Sequence, residues 1–140
     1  MRSFTKAAAL GVSLVASVAF AELATAAEFK VDAEGAGMHA AINFRASHLG
    51  YSFVTGRFDK FTGNFNWDKS DPTASKIVID IDATSVNTNH GKRDEHLRSA
   101  DFFDAANHPT AKFESTSIEK TGDKTGIIKG NLTIRGVTKE

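Results

Sequence analysis

Along most of this chain apolar and polar residues take turns, and a period of two commits the backbone to strands rather than helices. From Met38 to His48 one face reads Met38, Ala40, Ile42, Phe44, Ala46 and the other His39, Ala41, Asn43, Arg45, Ser47. An extended run of that length spans about 36 Å, which suits a long twisted strand of a barrel better than a small sandwich. Tyr51 to Phe58 makes a second pass. Phe61, Gly63, Phe65 and Trp67 then oppose Thr62, Asn64, Asn66 and Asp68, and Ile77, Ile79, Ile81 and Ala83 oppose Val78, Asp80 and Asp82, whose acids face water. Ala111, Phe113, Ser115 and Ser117 share a face, and Ile128, Gly130, Leu132 and Ile134 share another across a Gly-rich turn at Thr121 to Gly126. With a short strand at Phe29 to Asp32, about seven strands are expected.

Alternation on nearly every strand describes an antiparallel sheet that is wet on one side and curled around the other. Either a barrel with a cavity or a small filled sandwich satisfies it. The rhythm lapses once, between Ser85 and Phe113, over a distance too long for an ordinary connection in a compact domain. A short helix fits the first half of this stretch. Asn89 or Gly91 can cap it, Asp94 and Glu95 occupy its positive first turn, and Arg98 closes the negative end. Asp94 and Arg98 also stand one turn apart. Phe102 and Phe103 follow side by side, and Asn107, His108 and Pro109 stop the helix and restart an extended chain. A lid inserted between strands is the natural reading.

At the amino terminus Arg2 and Lys6 precede an uncharged apolar run, Ala7 to Ala21, and small residues follow at Ala24, Thr25, Ala26 and Ala27. This is the pattern of a cleavable signal peptide, residues 1–26, with cleavage after Ala26 or Ala27. The run falls short of the roughly 20 residues a spanning helix needs, so the processed protein, 27–140, is expected in the periplasm or outside the cell and not across the membrane. The whole chain has 17 basic and 17 acidic residues, and removal of Arg2, Lys6 and Glu22 leaves it near neutral. That balance offers nothing to nucleic acid. There is no cysteine, so neither disulfides nor thiolate chemistry contribute.

Chemistry is hard to assemble from what remains. The five histidines, at 39, 48, 90, 96 and 108, include no helical pair at zinc-binding spacing; His90, Glu95 and His96 come nearest and fail it. No serine sits in a nucleophile elbow and no glycine-rich phosphate loop occurs. No catalytic residue, metal site or cofactor is therefore assigned. Asn131-Leu132-Thr133 matches a glycosylation triplet that has little force in an export product of bacterial character.

Three stretches carry a resemblance: Phe44 to Arg57 with His48, Leu49 and Gly50; Arg93-Asp94-Glu95-His96-Leu97-Arg98-Ser99-Ala100-Asp101-Phe102-Phe103-Asp104 followed by His108-Pro109-Thr110-Ala111-Lys112-Phe113; and Asn131 to Lys139. Together they closely resemble the YceI-like family. The resemblance implies an exported all-β protein, an antiparallel lipocalin-like barrel with one short helical lid, whose apolar cavity holds a long isoprenoid or a similar lipid. It also implies further strands beyond Gly136-Val137-Thr138-Lys139, so the chain is expected to be incomplete at its carboxyl end, and an edge left open there would allow a homodimer.

On that reading the cavity is lined by Ile42, Phe44, Phe65, Ile79, Ile81, Phe113, Leu132 and Ile134, with Phe102 and Phe103 at the mouth. Arg93, Asp94, His96 and Arg98 form the rim, meeting a polar head group or holding the lid to the barrel. The expected partner is a long-chain isoprenoid, a quinone or a fatty lipid, bound for transport, storage or sequestration. Two alternatives stand beside it: an exported metal-dependent enzyme using the lid histidines, and a quinone-binding accessory of membrane electron transfer.

Overall fold

The computed structural model of the chain describes residues 26–31, 33, 39–68 and 70–140. The signal-peptide reading of 1–26 therefore lies, but for Ala26, outside the described residues, as does Met38 at the start of the expected first long strand. Among the described residues the architecture is antiparallel β with one short helix, as the alternation requires.

Nine strands occur among these residues, two more than the pattern suggested. They are β1 (Ala27–Lys30), β2 (Ile42–His48), β3 (Ser52–Phe58), β4 (Phe61–Trp67), β5 (Lys76–Asp82), β6 (Val86–Asn87), β7 (Thr110–Gly122), β8 (Thr125–Ile134) and β9 (Val137–Lys139). The helix α1 covers Gly91–Arg98. The additional strands are the two-residue β6 and the three-residue β9, too short to show any periodicity.

The strands divide into a six-stranded sheet in the order β1-β4-β5-β7-β8-β9 and a three-stranded sheet in the order β2-β3-β6. Every pairing is antiparallel. The two sheets meet around Phe61, Ile81 and Ala111, against which Ile42 and Phe58 of the smaller sheet pack.

Two expected boundaries move. The first long strand begins at Ile42, where pairing with β3 starts opposite Phe58, and the described residues 39–41 before it belong to no strand. The turn at Thr121 to Gly126 shrinks to Asp123 and Lys124, since Gly122 already pairs with Thr125. The longest strand is instead β7, of 13 residues, with register shifts between Ser115 and Ser117 and between Lys120 and Gly122. The first shift overturns the expected face of Ser117. An extra residue in a β-bulge reverses the alternation, and it puts Ile118 opposite Ile128 on the side of Phe113.

Candidate functional site

One face of the six-stranded sheet is largely apolar from β1 to β8. Phe29 of β1 stands opposite Phe65 of β4, their rings stacked with centroids 5.0 Å apart, and Phe65 stands opposite Ile77. Further along, Ile79 pairs with Phe113 and Phe113 with Leu132, while Phe61 pairs with Ile81 and Ile81 with Ala111. Because side chains at paired positions point to the same side, these rows form a single surface. Glycine makes room within it. A Cβ at Gly130 would meet the Phe113 ring, and one at Gly63 would meet Ile79 Cδ1 at 2.5 Å.

This face is only partly covered. Ile81 is buried, Ile42 and Ile79 pack against its cluster, and Phe65 and Phe113 are half-buried. Leu132 and Ile134 are 40% and 38% exposed, and Phe29, Trp67 and Ile128 are exposed to a similar extent. Among the described residues no large side chain is fully buried. At the end of the face farthest from α1, Trp67, Pro72, Ile118 and Ile128 border a cleft of about 600 Å³. Phe44 belongs to the smaller sheet, where its ring lies over Gly56 and 5.6 Å from Phe58.

Phe29, Trp67, Ile77, Ile118 and Ile128 join this surface without having been assigned to it. Trp67, Ile77 and Ile128 continue alternations that were visible, and the stacking of Phe29 follows from a four-residue strand. Ile118 gave no signal, because a bulge is an event of backbone register and not of composition.

The segment after β6 is fastened from several sides. Asp94 is buried, and its Oδ1 accepts hydrogen bonds from the Thr88 amide (2.9 Å) and hydroxyl (2.6 Å). Arg93 donates to the same residue, Nε to the hydroxyl at 2.7 Å and a terminal nitrogen to the carbonyl at 2.8 Å. Burial opposes ionisation of Asp94, but the Thr88 hydrogen bonds outweigh it, helped by the charges of Arg98 and Arg93, and its carboxyl sits below the usual carboxylate value. The helix cap is His90 and neither Asn89 nor Gly91. The Arg93 amide donates to His90 Nδ1 at 3.2 Å, while Asn89 takes the positive φ of 61° that turns the chain into the cap.

Beyond the helix, Phe103 meets Phe58 edge-on at 5.6 Å, and the Pro109 carbonyl accepts from the Ala83 amide at 2.8 Å. Arg135, in the β8–β9 turn, donates to the Phe102 carbonyl at 3.2 Å. Phe102 itself is exposed, its ring edge-on to His96 at 4.9 Å.

The rim residues thus split into two groups. Arg93 and Asp94 converge on Thr88, and Arg98 adds its charge to Asp94. His96 Nε2 faces Asp101 Oδ2 at 3.0 Å on the exposed side. His96 and Asp94 are not brought onto one another, and among the described residues no group of three His, Asp or Glu side chains is placed to hold a metal ion.

Residues 16–140 match the family profile described as YceI-like domain. A UPF0312 protein of Pseudomonas putida is 50% identical over 133 residues, covering 95% of this chain and 66% of its own length. The chain thus spans slightly less than two thirds of that relative. Among solved structures, the Campylobacter jejuni YceI protein is 35% identical, with a TM-score of 0.60 over 72% of this chain and 59% of the other. A polyisoprenoid binding domain from Saccharophagus degradans, implicated in plant cell wall breakdown, shares 22% identity and a TM-score of 0.54 over 71% and 57%, a likeness of fold.

Proposed function

Since the chain belongs to the YceI-like domain family, we propose that the protein is an exported, non-catalytic carrier that holds a long isoprenoid or similar apolar chain along the apolar face of its larger sheet. The observation that carries this reading is the incomplete burial of that face. Phe29, Trp67, Ile128, Leu132 and Ile134 stand in register with Phe65, Ile77 and Phe113, yet remain about two-fifths exposed or more. Side chains of this size normally bury one another when they are only core. An apolar guest would cover them. If it removes roughly 500 Å² of apolar surface from water, the gross gain is about 12 kcal/mol, of which association costs take a large part. Such a guest needs no charged anchor. The fold shared with a domain described as polyisoprenoid binding supports an isoprenoid-type ligand, and the family supports an export compartment.

The test is extraction of the purified protein into organic solvent followed by mass spectrometry. An isoprenoid-like or quinone-tailed molecule is expected at near one per chain. Phe65→Glu and Phe113→Glu, which put a charge at the centre of the face, should lose it while remaining folded by circular dichroism. A protein that carries no apolar molecule and takes none up from detergent would end this reading.

A further inference from the structure

We propose that the tip of the β2–β3 hairpin is a docking element for the interface of an anionic lipid bilayer. The hairpin reverses over three residues, Leu49, Gly50 and Tyr51, between the paired His48 and Ser52. The Tyr51 amide donates to the His48 carbonyl at 3.2 Å, and Leu49 and Gly50 take φ values of 54° and 75°. Turns with both central residues left-handed favour Asn-Gly, which fits the twist without steric cost and is at home in water. Here the first position is leucine. It is 78% exposed, next to Tyr51 at 94% and close to Phe53 at 57%. A bulky apolar residue in the left-handed region, pointing into solvent, satisfies neither backbone preference nor burial, and an outlier of this kind points to a task outside the fold.

The surroundings select the partner. From Ile42 to Phe58 the chain has Arg45, His48 and Arg57 and no acidic residue, although it is balanced in charge as a whole. Arg57, at the far end of β3, is engaged by Asp59. Arg45 lies on the same side as Phe53, its guanidinium carbon 3.4 Å from the ring centroid. Leucine and aromatic side chains at a tip with a cation behind them match the order of a membrane interface, with apolar groups toward the acyl boundary and the arginine at the phosphates. A three-residue turn is convex and small. It falls well short of the roughly 800 Å² that each partner of a stable protein pair contributes, whereas a bilayer requires no shaped counterpart. The tip is also six residue steps, about 20 Å, from the Ile42–Phe58 end where the smaller sheet joins the core. It can enter an interface without disturbing the packing.

The experiment is flotation of the exported, processed protein with vesicles of phosphatidylcholine alone or mixed with phosphatidylglycerol. Binding to the mixed vesicles that weakens with salt is expected. Leu49→Asn combined with Tyr51→Ser should reduce partitioning roughly tenfold or more, as loss of two apolar contacts predicts. Asparagine is comfortable at a positive φ, so this variant should unfold in urea no earlier than the wild type, and lost binding cannot be ascribed to lost structure. Arg45→Gln should abolish the preference for the anionic vesicles. Equal flotation of wild type and double variant, or no flotation of either, overturns the proposal. So does a dimer in light scattering that the double substitution dissolves without any vesicle binding, because a second copy would then be the occupant. The cargo reading fails separately: the double variant should still yield its extractable apolar molecule.

Discussion

The two ends of the β2–β3–β6 sheet treat the same kinds of residue in opposite ways. At the α1 end, one charged group is buried and satisfied. Asp94 sits inside with two hydrogen bonds from Thr88, Arg93 closes the same residue from the other side, and Phe103 rests on Phe58. At the hairpin tip, apolar groups are exposed and unsupported, with Leu49 and Tyr51 in water. One end is therefore finished by the chain itself, and the other is finished only in contact with something else. A lid held by buried charge, a ring contact and the Arg135 link to the Phe102 carbonyl is a fixed cap. Access to the apolar face is then expected at the Trp67–Ile118–Ile128 cleft, at the end of the face away from α1.

Substituting Asp94 attacks the finished end most directly. Asp94→Ala leaves the Thr88 amide and hydroxyl without their acceptor and Arg93 without the opposite charge beside it, in a buried setting where an uncompensated polar group is costly. A loss of about 3 kcal/mol is expected in urea unfolding. If instead the loss is below about 0.5 kcal/mol, the value of an exposed ion pair, the cap is not held as described and the contrast between the two ends disappears.

Next in size is Phe58→Ala. Phe58 joins the core cluster to Phe44 and to Phe103, so its removal loosens the cap and the smaller sheet together. Because the ring is half-buried, a cost of about 2 to 3 kcal/mol is expected, at the lower end for a core phenylalanine. Hydrogen exchange should show faster opening of α1 as well as of β3. Unchanged protection in α1 would separate the cap from the sheet.

Acid should act on the same end and in a defined direction. The Asp94 carboxyl lies below its ordinary value of 3.8 in the folded protein, so its contribution to stability is complete above the unfolded value and is lost as pH falls through the folded one. Asp59 and Asp68 are lowered likewise, by a hydrogen bond from Arg57 and by one from Ser70, and act in the same sense on the exposed surface. The urea midpoint should therefore decline from about pH 5 downward. Asp94→Asn should flatten that decline relative to wild type, while Asp68→Asn changes it little. A slope untouched by Asp94→Asn would assign the acid sensitivity elsewhere.

These contrasts explain which parts of the molecule were readable from residues alone. β4 and β5 were, because Phe61 to Trp67 and Ile77 to Ala83 alternate without a break and carry heavy side chains on one face. So was α1, whose acidic first turn and closing Arg98 are chemical signals of helix ends. The start of β2 was not, since small residues such as Ala40 and Ala41 alternate equally well in unpaired extended chain. The His90 cap escaped because an imidazole nitrogen rarely takes the role of a capping oxygen. Ile118 was hidden by the bulge between Ser115 and Ser117. The partial exposure of Leu132 and Ile134 was equally invisible, because alternation says which side a residue faces and not what covers it.

The smallest effect belongs to the hairpin tip. Leu49 carries a left-handed backbone at a steric cost of about 1 kcal/mol or more, and its side chain regains little of that by burial, being 78% exposed. Asparagine at the same position relieves most of the backbone cost and surrenders almost no packing. Leu49→Asn alone should therefore raise the stability to urea by about 0.5 to 1 kcal/mol. A stabilising substitution at a position unused by the core is what the comparison requires, since it means the wild-type leucine is kept at the expense of the fold. Should Leu49→Asn instead destabilise by as much as Phe58→Ala, Leu49 is a packing residue and the two ends of the sheet are built on the same principle.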